Sequence, residues 1–236
     1  MAVILENRSL GEEMYLLRAQ YEGNAEPGQF FMIRSAGSFP LLSRPLSIFD
    51  VQGDSISFLY KVIGEGTKEF SRLSQGMEID FYGPFGKGFD LTPEGRNIAL
   101  VGGGMGAAPL FYTAKRMREL NPDQEITLYL GFQKENAVVD VFKELNLPLI
   151  LNFGGYVSEE VDYEKHDVFY TCGPEVMMRR VSSHGKEFGK PVFVSLEKHM
   201  ACGVGACLGC TCKTKEGNKR VCKEGPVFPG EEVFYE

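Results

Sequence analysis

Five of the six cysteines crowd into the last part of the chain, at positions 202, 207, 210, 212 and 222, and glycines stand among them at 203, 205 and 209. A stretch this rich in cysteine and glycine has too few apolar side chains for a core of its own. It must be held by cross-links or by a bound inorganic group. In a small secreted domain the density would mean disulfides. Met1 to Leu10 carries Glu6 and no long apolar run, so no secretory signal is expected. The thiols are therefore expected to stay reduced, in the cytoplasm, and to bind a metal or a cluster.

The spacing narrows the choice. Cys202, Cys207 and Cys210 read C-x4-C-x2-C, and Cys222 follows after a longer gap. That opening is the plant-type ferredoxin arrangement for a 2Fe–2S cluster. Four thiolates must reach two irons from one tight loop. The glycines let the backbone wrap closely and turn N–H groups toward sulfur. A structural zinc site, with its paired cysteines, fits the triplet less well, and a set of ordinary buried thiols is the third reading. Cys212 is left over, in an expected strand Thr211–Thr214. Around the loop, Lys198, Lys213, Lys215, Lys219, Arg220 and Lys223 face only Glu216. This basic stretch is expected either to offset cluster charge and dock a partner, or to be a solvated hairpin.

The rest of the chain divides into two textures, giving expected boundaries at 1–92, 93–190 and 191–236. The first part holds short apolar segments, Tyr15–Ala19, Phe30–Arg34, Leu46–Asp50, Ile56–Val62 and Met77–Tyr82, separated by turns such as Glu26-Pro27-Gly28. They predict an antiparallel β-barrel or sandwich, with a short helix near Gly66–Leu73. The second part alternates strands (Asn97–Val101, Glu125–Leu130, Pro148–Asn152, Asp167–Thr171) with helices (Pro109–Leu120 and one ending near Ser183). That order predicts an open parallel α/β sheet. No apolar run reaches about 18 residues, so no membrane helix is expected. The net charge of −7 argues against a nucleic-acid partner.

Two sets of residues suit dinucleotides. On the barrel, Arg44-Pro45-Leu46-Ser47, Leu59-Tyr60-Lys61 and Gly66-Thr67 supply a guanidinium for phosphate, hydroxyls and an aromatic ring. In the α/β part, Gly102, Gly103, Gly104 and Gly106 follow a strand and precede a helix, where pyrophosphate binds. Cys172-Gly173-Pro174 ends a later strand; Cys172 is read either as a nicotinamide contact or as a small buried residue. After the second strand, Gly131–Asn136 offers only Lys134 for a 2′-phosphate, so NAD is expected over NADP. The histidines at 166, 184 and 199 are scattered and are expected in core or surface roles. No nucleophilic triad or paired carboxylates stand out, so the chemistry should belong to cofactors.

Taken in order, Arg-Pro-x-Ser, Gly-x-Gly-Thr, Gly-Pro-Phe-Gly, Gly-Gly-Gly-Met-Gly and Cys-Gly-Pro resemble the ferredoxin–NADP reductase superfamily over roughly residues 1–190. That resemblance implies a flavin-binding barrel and a nicotinamide-binding α/β domain. Adding the loop Glu197–Cys210 and the tail Arg220–Phe228, the whole chain resembles the electron-transfer subunits of type B dihydroorotate dehydrogenases. It implies FAD, a 2Fe–2S cluster and NAD as cofactors. It also implies an FMN-containing catalytic subunit as partner, two of each in a heterotetramer, and a role in de novo pyrimidine synthesis. Electrons would pass singly through the cluster to FAD and as hydride to NAD⁺. A rival resemblance is to the small subunits of flavin-based NAD(P)H:ferredoxin or sulfide oxidoreductases. That family has aspartate in place of the first cysteine, and Cys202 speaks against it. A reading of another class, a carrier or scaffold that no longer binds NAD, is opposed by the intact Gly102–Gly106 and Cys172–Pro174 segments.

Overall fold

The computed structural model describes residues 1–35, 37 and 40–235. Six strands close an antiparallel barrel in the order β1-β2-β5-β4-β3-β6. They are β1 (Ala2–Gly11), β2 (Met14–Gln20), β3 (Phe30–Ser35), β4 (Arg44–Gln52), β5 (Ser55–Lys61) and β6 (Glu78–Phe85), with helix α1 (Glu65–Ser71) between β5 and β6. Inward residues such as Ile4, Leu17, Ile33, Ile48, Phe58 and Ile79 fill its core. Strand β1 was not foreseen: Glu6, Asn7 and Arg8 interrupt its apolar pattern. Asn7 is instead committed to polar work, donating to the carbonyls of Phe70 and Leu73 at 2.8 Å at the end of α1.

The second unit is a six-stranded sheet in the order β14-β11-β10-β7-β8-β9. In chain order its elements are β7 (Asn97–Gly103), α2 (Ala108–Leu120), β8 (Glu125–Phe132), α3 (Val138–Lys143), β9 (Leu149–Phe153), β10 (Val168–Cys172), α4 (Glu175–Glu187) and β11 (Val192–Ser195). A small hairpin, β12 (Thr211–Thr214) with β13 (Gly217–Arg220), then precedes β14 (Val227–Pro229) and the short helix α5 (Gly230–Val233). Strand β7 shows why the sheet needs helices on both faces. Ile98 and Leu100 join the core beneath α2, whereas Ala99 and Val101 join the core beneath α4. All strand pairs are parallel except β11 with β14, where Val194 faces Phe228. The sheet therefore extends past residue 190, and the cysteine segment leaves it at β11 and rejoins it at β14.

A β-bulge between Ile48 and Asp50 of β4 joins the two units. The extra residue sends Ile48 into the barrel and turns Phe49 outward. There Phe49 stacks on Phe111 of α2 at 4.4 Å between ring centroids. Beside it, Lys115 Nζ donates to both oxygens of Asp50, at 2.7 and 2.9 Å. Burial raises the Asp50 pKa despite that lysine. Removing the cation alone strands a partly buried carboxylate. Lys115→Met is expected to lower stability by about 2 kcal/mol, short of the ~3–5 seen for fully buried pairs. Since the folded carboxyl titrates above its unfolded value, the deficit shrinks as pH falls and Asp50 takes up a proton. Urea unfolding at two pH values measures both effects.

Candidate functional site

Strands β4 and β5 and helix α1 present one wall of a cleft of about 850 Å³. Arg44, Pro45, Leu46, Ser47, Leu59, Tyr60, Lys61 and Thr67 all line it. Gly66 lies behind them, against the Arg44 guanidinium. Arg44 and Pro45 belong to strand β4 itself, so the guanidinium springs from a fixed ladder position, paired with Ile33. Tyr60 is anchored by donating to Asn7 Oδ1 at 3.1 Å, and burial pushes the pKa of its hydroxyl well up, so it stays a neutral donor. Thr67 Oγ1 accepts from the backbone N–H of Ile63 at 3.0 Å and shapes the turn into α1. The far wall comes from the other unit: Met105, Ala108, Ser195 and the run Leu196–Met200. His199 is in that run; it is exposed, as expected, on the open side of the cleft. His166, by contrast, is fully buried against the Tyr129 hydroxyl at 2.9 Å, and His184 pairs with Glu187 at 3.2 Å on the surface.

A second cleft, of about 400 Å³, opens at the C-terminal ends of β7 and β10. Gly103, Gly104, Gly106, Gly173 and Pro174 line it. Gly102 and Cys172 sit beneath it. Gly102 packs against Ala107 and Leu110. Cys172 is 1% exposed; burial pushes its thiol well up, with Glu197 adding to the effect and the Ser195 hydroxyl opposing it. This is the buried reading of Cys172 rather than a wall contact. Gly106 packs directly on the backbone of Cys172 and Gly173, which is how the glycine loop and the later turn come to share one cradle.

Both clefts share Met105, Leu196, Glu197 and Lys198. The Glu197 side chain has open surface within the cleft, yet enough protein surrounds it that burial raises its carboxyl above the ordinary range. Sequence reading placed Leu196, Glu197 and Lys198 with the cysteine segment and Met105 in the glycine loop. Only the pairing of β11 with β10, four residues long, carries the first three to the junction.

The cysteine loop packs beside this junction. Gly203, at φ +70°, lies against Met32 and Phe85 of the barrel, an approach that a side chain would block. Backbone N–H groups point at sulfur as expected: Cys207 N–H donates to Cys202 Sγ at 3.4 Å, Gly209 N–H to Cys207 Sγ at 3.5 Å and Cys222 N–H to Cys210 Sγ at 3.4 Å. The N–H of Cys207, followed by that of Val204, pulls the Cys202 thiol down to about 6. Burial, with Cys210 beside it, pushes Cys222 up to about 12. The thiols thus fall into two neighbouring pairs, 202 with 207 and 210 with 222. Among the described residues no three His, Cys, Asp or Glu side chains gather tightly enough for a single ion. Two pairs of thiols with N–H donors fit a two-iron cluster better than one tetrahedral zinc. Cys212 points from β12 into the apolar core behind them and is 8% exposed.

The basic stretch is largely answered from outside its own window. Lys219 pairs with Glu232 and with Glu216, Arg220 pairs with Glu224, and Arg220 Nη1 donates to the Gly205 carbonyl at 3.1 Å. Lys213, Lys215 and Lys223 remain exposed. No helix among the described residues is long and apolar enough to cross a membrane.

Comparison with known proteins agrees with this geometry. Residues 197–234 match the iron–sulfur cluster binding domain of dihydroorotate dehydrogenase B. A protein of Clostridium perfringens named as the electron transfer subunit of dihydroorotate dehydrogenase B (NAD(+)) is 42% identical, over 98% of this chain and 96% of its own length. Its counterpart in Clostridium acetobutylicum is also 42% identical, over 98% and 95%. A chain of the NADH-dependent reduced ferredoxin-NADP oxidoreductase superposes with a TM-score of 0.88 at 30% identity, covering 99% of this chain and 89% of that one. The ferredoxin reductase of carbazole 1,9a-dioxygenase, at 19% identity and a TM-score of 0.71 over 82% and 67%, shares the fold.

Proposed function

Because the chain belongs to the family of dihydroorotate dehydrogenase B electron-transfer subunits, we propose that it takes electrons singly from an FMN-bearing catalytic subunit that oxidises dihydroorotate, and passes them in pairs to NAD⁺. The observation that carries this reading is contiguity: the barrel cleft, the glycine cradle and the cysteine loop meet around Leu196–Met200. In our reading FAD occupies the barrel cleft, NAD the cradle, and a 2Fe–2S cluster the four thiols of Cys202, Cys207, Cys210 and Cys222. When bound, the cluster exchanges one electron, FAD stores two, and nicotinamide takes them as hydride.

The chain's own residues hold and shield these groups. Arg44, with Thr67 at the start of α1, is suited to the FAD pyrophosphate. Ser47 offers a hydroxyl to the flavin ring, and Pro45, Leu46, Leu59, the Tyr60 ring and the Lys61 stem give apolar surface. Gly102–Gly106 and Gly173-Pro174 cradle NAD, with Glu197 at the seam between the two clefts. Val204 and Leu208 stand exposed at the rim of the cysteine loop, near Lys213, Lys215 and Lys223, and make the face that suits the catalytic subunit. A two-plus-two heterotetramer in the cytoplasm, serving pyrimidine synthesis, completes the reading.

The test is division of labour. The isolated chain, loaded with FAD and cluster, is expected to oxidise NADH with an artificial acceptor and to leave dihydroorotate untouched until the catalytic subunit is added. Turnover of dihydroorotate by this chain alone would refute the reading.

A further inference from the structure

The two halves of the cysteine loop have unlike surroundings. Cys207 is exposed and Cys202 partly so, whereas Cys210 and Cys222 are each 3% exposed. The buried pair lies in an apolar cluster with Phe30, Met32, Leu196, Val221 and Phe228, against which Phe85 and Met200 also pack. Phe30, Leu196 and Met200 line the flavin cleft as well. These three side chains therefore belong at once to the cleft wall and to the apolar cluster that holds the buried thiols. None carries a charged or hydrogen-bonding side-chain group apart from the weakly accepting thioether of Met200. The partition is held from behind: Phe30 packs on Phe85 with centroids 5.9 Å apart, and Lys87 N–H donates to the Gly225 carbonyl at 2.6 Å beside Pro226, another residue of the cleft wall.

From this asymmetry we infer that the cluster site is polarised: electrons cross between flavin and cluster through a dry partition of Phe30, Leu196 and Met200 at the Cys210/Cys222 side, while the Cys202/Cys207 side faces the partner. This rests on the ligand set proposed above. Each crossing moves one electron. In the NADH direction, NADH gives FAD two electrons and a proton as hydride; the flavin is then oxidised by one electron as the cluster is reduced by one. The flavin's second electron follows once a one-electron acceptor, the partner's flavin or an added iron(III) complex, has reoxidised the cluster, and protons leave to solvent. Tunnelling slows as the gap between cofactors lengthens or fills with water, so a packed apolar wall serves as a medium that an open one does not. Met200 is a positioning residue here: it is partly exposed to the cleft, and its truncation leaves a gap continuous with the open cleft, through which water can enter beside the thiols.

The experiment mixes the full chain, carrying FAD and cluster, with NADH under anaerobic conditions. Flavin bleaching and the cluster's EPR signal are followed in the same reaction. Met200→Ala is expected to lengthen the interval between the two signals severalfold, with the EPR line shape unchanged. Met200→Leu, of similar volume, is expected to restore the interval. Lys186→Ala, an exposed change on α4 outside both clefts, is expected not to lengthen it. Equal intervals in Met200→Ala and the parent chain overturn the inference, and so does an equal lengthening by Lys186→Ala. If Met200→Ala does not retain FAD, Phe30→Leu thins the same wall and is expected to lengthen the interval, with an unchanged interval again overturning the inference. A parent chain with no cluster signal sinks the ligand set itself, which is a separate failure.

Discussion

Cys222→Ser is expected to abolish the 2Fe–2S EPR signal and the brown colour of the protein, whereas Cys212→Ser retains both. The two residues are similarly buried, so burial does not separate them. Direction does. Cys222 sits next to Cys210, to whose sulfur its own N–H donates at 3.4 Å. Cys212 alternates on β12 with exposed Thr211 and Lys213 and points into the core. A serine at 222 offers a harder, weaker ligand where a thiolate is needed. Because cluster binding is coupled to folding of the segment that holds it, the melting temperature of Cys222→Ser falls too. Iron and sulfide analysis beside EPR checks the outcome. Loss of the cluster in Cys212→Ser with retention in Cys222→Ser would overturn the ligand set.

Gly106→Ala is expected to disable the nicotinamide half while sparing the flavin. A Cβ built on Gly106 lands on the carbonyl of Cys172 and on Cα of Gly173, both backbone atoms that no rotamer change can move. Overpacking of this kind costs about 1–3 kcal/mol. The loop relieves it by lifting off the later turn, which opens the cradle. The KM for NADH is expected to rise at least about tenfold, equivalent to ~1.4 kcal/mol of lost binding. The flavin spectrum should persist, because the barrel wall of the other cleft is untouched. An unchanged KM would remove Gly102–Gly106 from the NAD site.

Much of this arrangement was legible in the sequence, and the gaps have a common cause. Strands β2 to β5 and β7 to β10 announce themselves as apolar runs between turns. The barrel set from Arg44 to Thr67 could be named because its members lie on adjacent pieces of chain. Local pattern says nothing about partners distant in sequence. It hid β1, whose polar residues serve α1, and β14, three residues ending in Pro229. It left the helix over Val138–Lys143 unseen, at under two turns. The same blindness kept Glu197 and Met105 out of the site, since each becomes a wall residue only when β11 docks on β10 and the barrel closes over α2. The charge count around the cysteine loop missed its answering acids for the same reason: Glu224 and Glu232, lying beyond the counted stretch, pair with Arg220 and Lys219.

The antiparallel match of Ser195 with Val227 has an architectural consequence. Everything from 196 to 226 leaves and re-enters the sheet at one ladder rung, so the iron-binding stretch is topologically the loop of a hairpin. Joining 195 to 227 through a tight turn would still leave the barrel and the glycine cradle with their strand pairings. Leu196, Glu197 and Lys198, which see both clefts, would go with the excised loop, however. The insertion is thus a detachable cassette in its connectivity but not in its service to the flavin, and a graft onto a cluster-free reductase would have to carry Leu196–Met200 along with the cysteines.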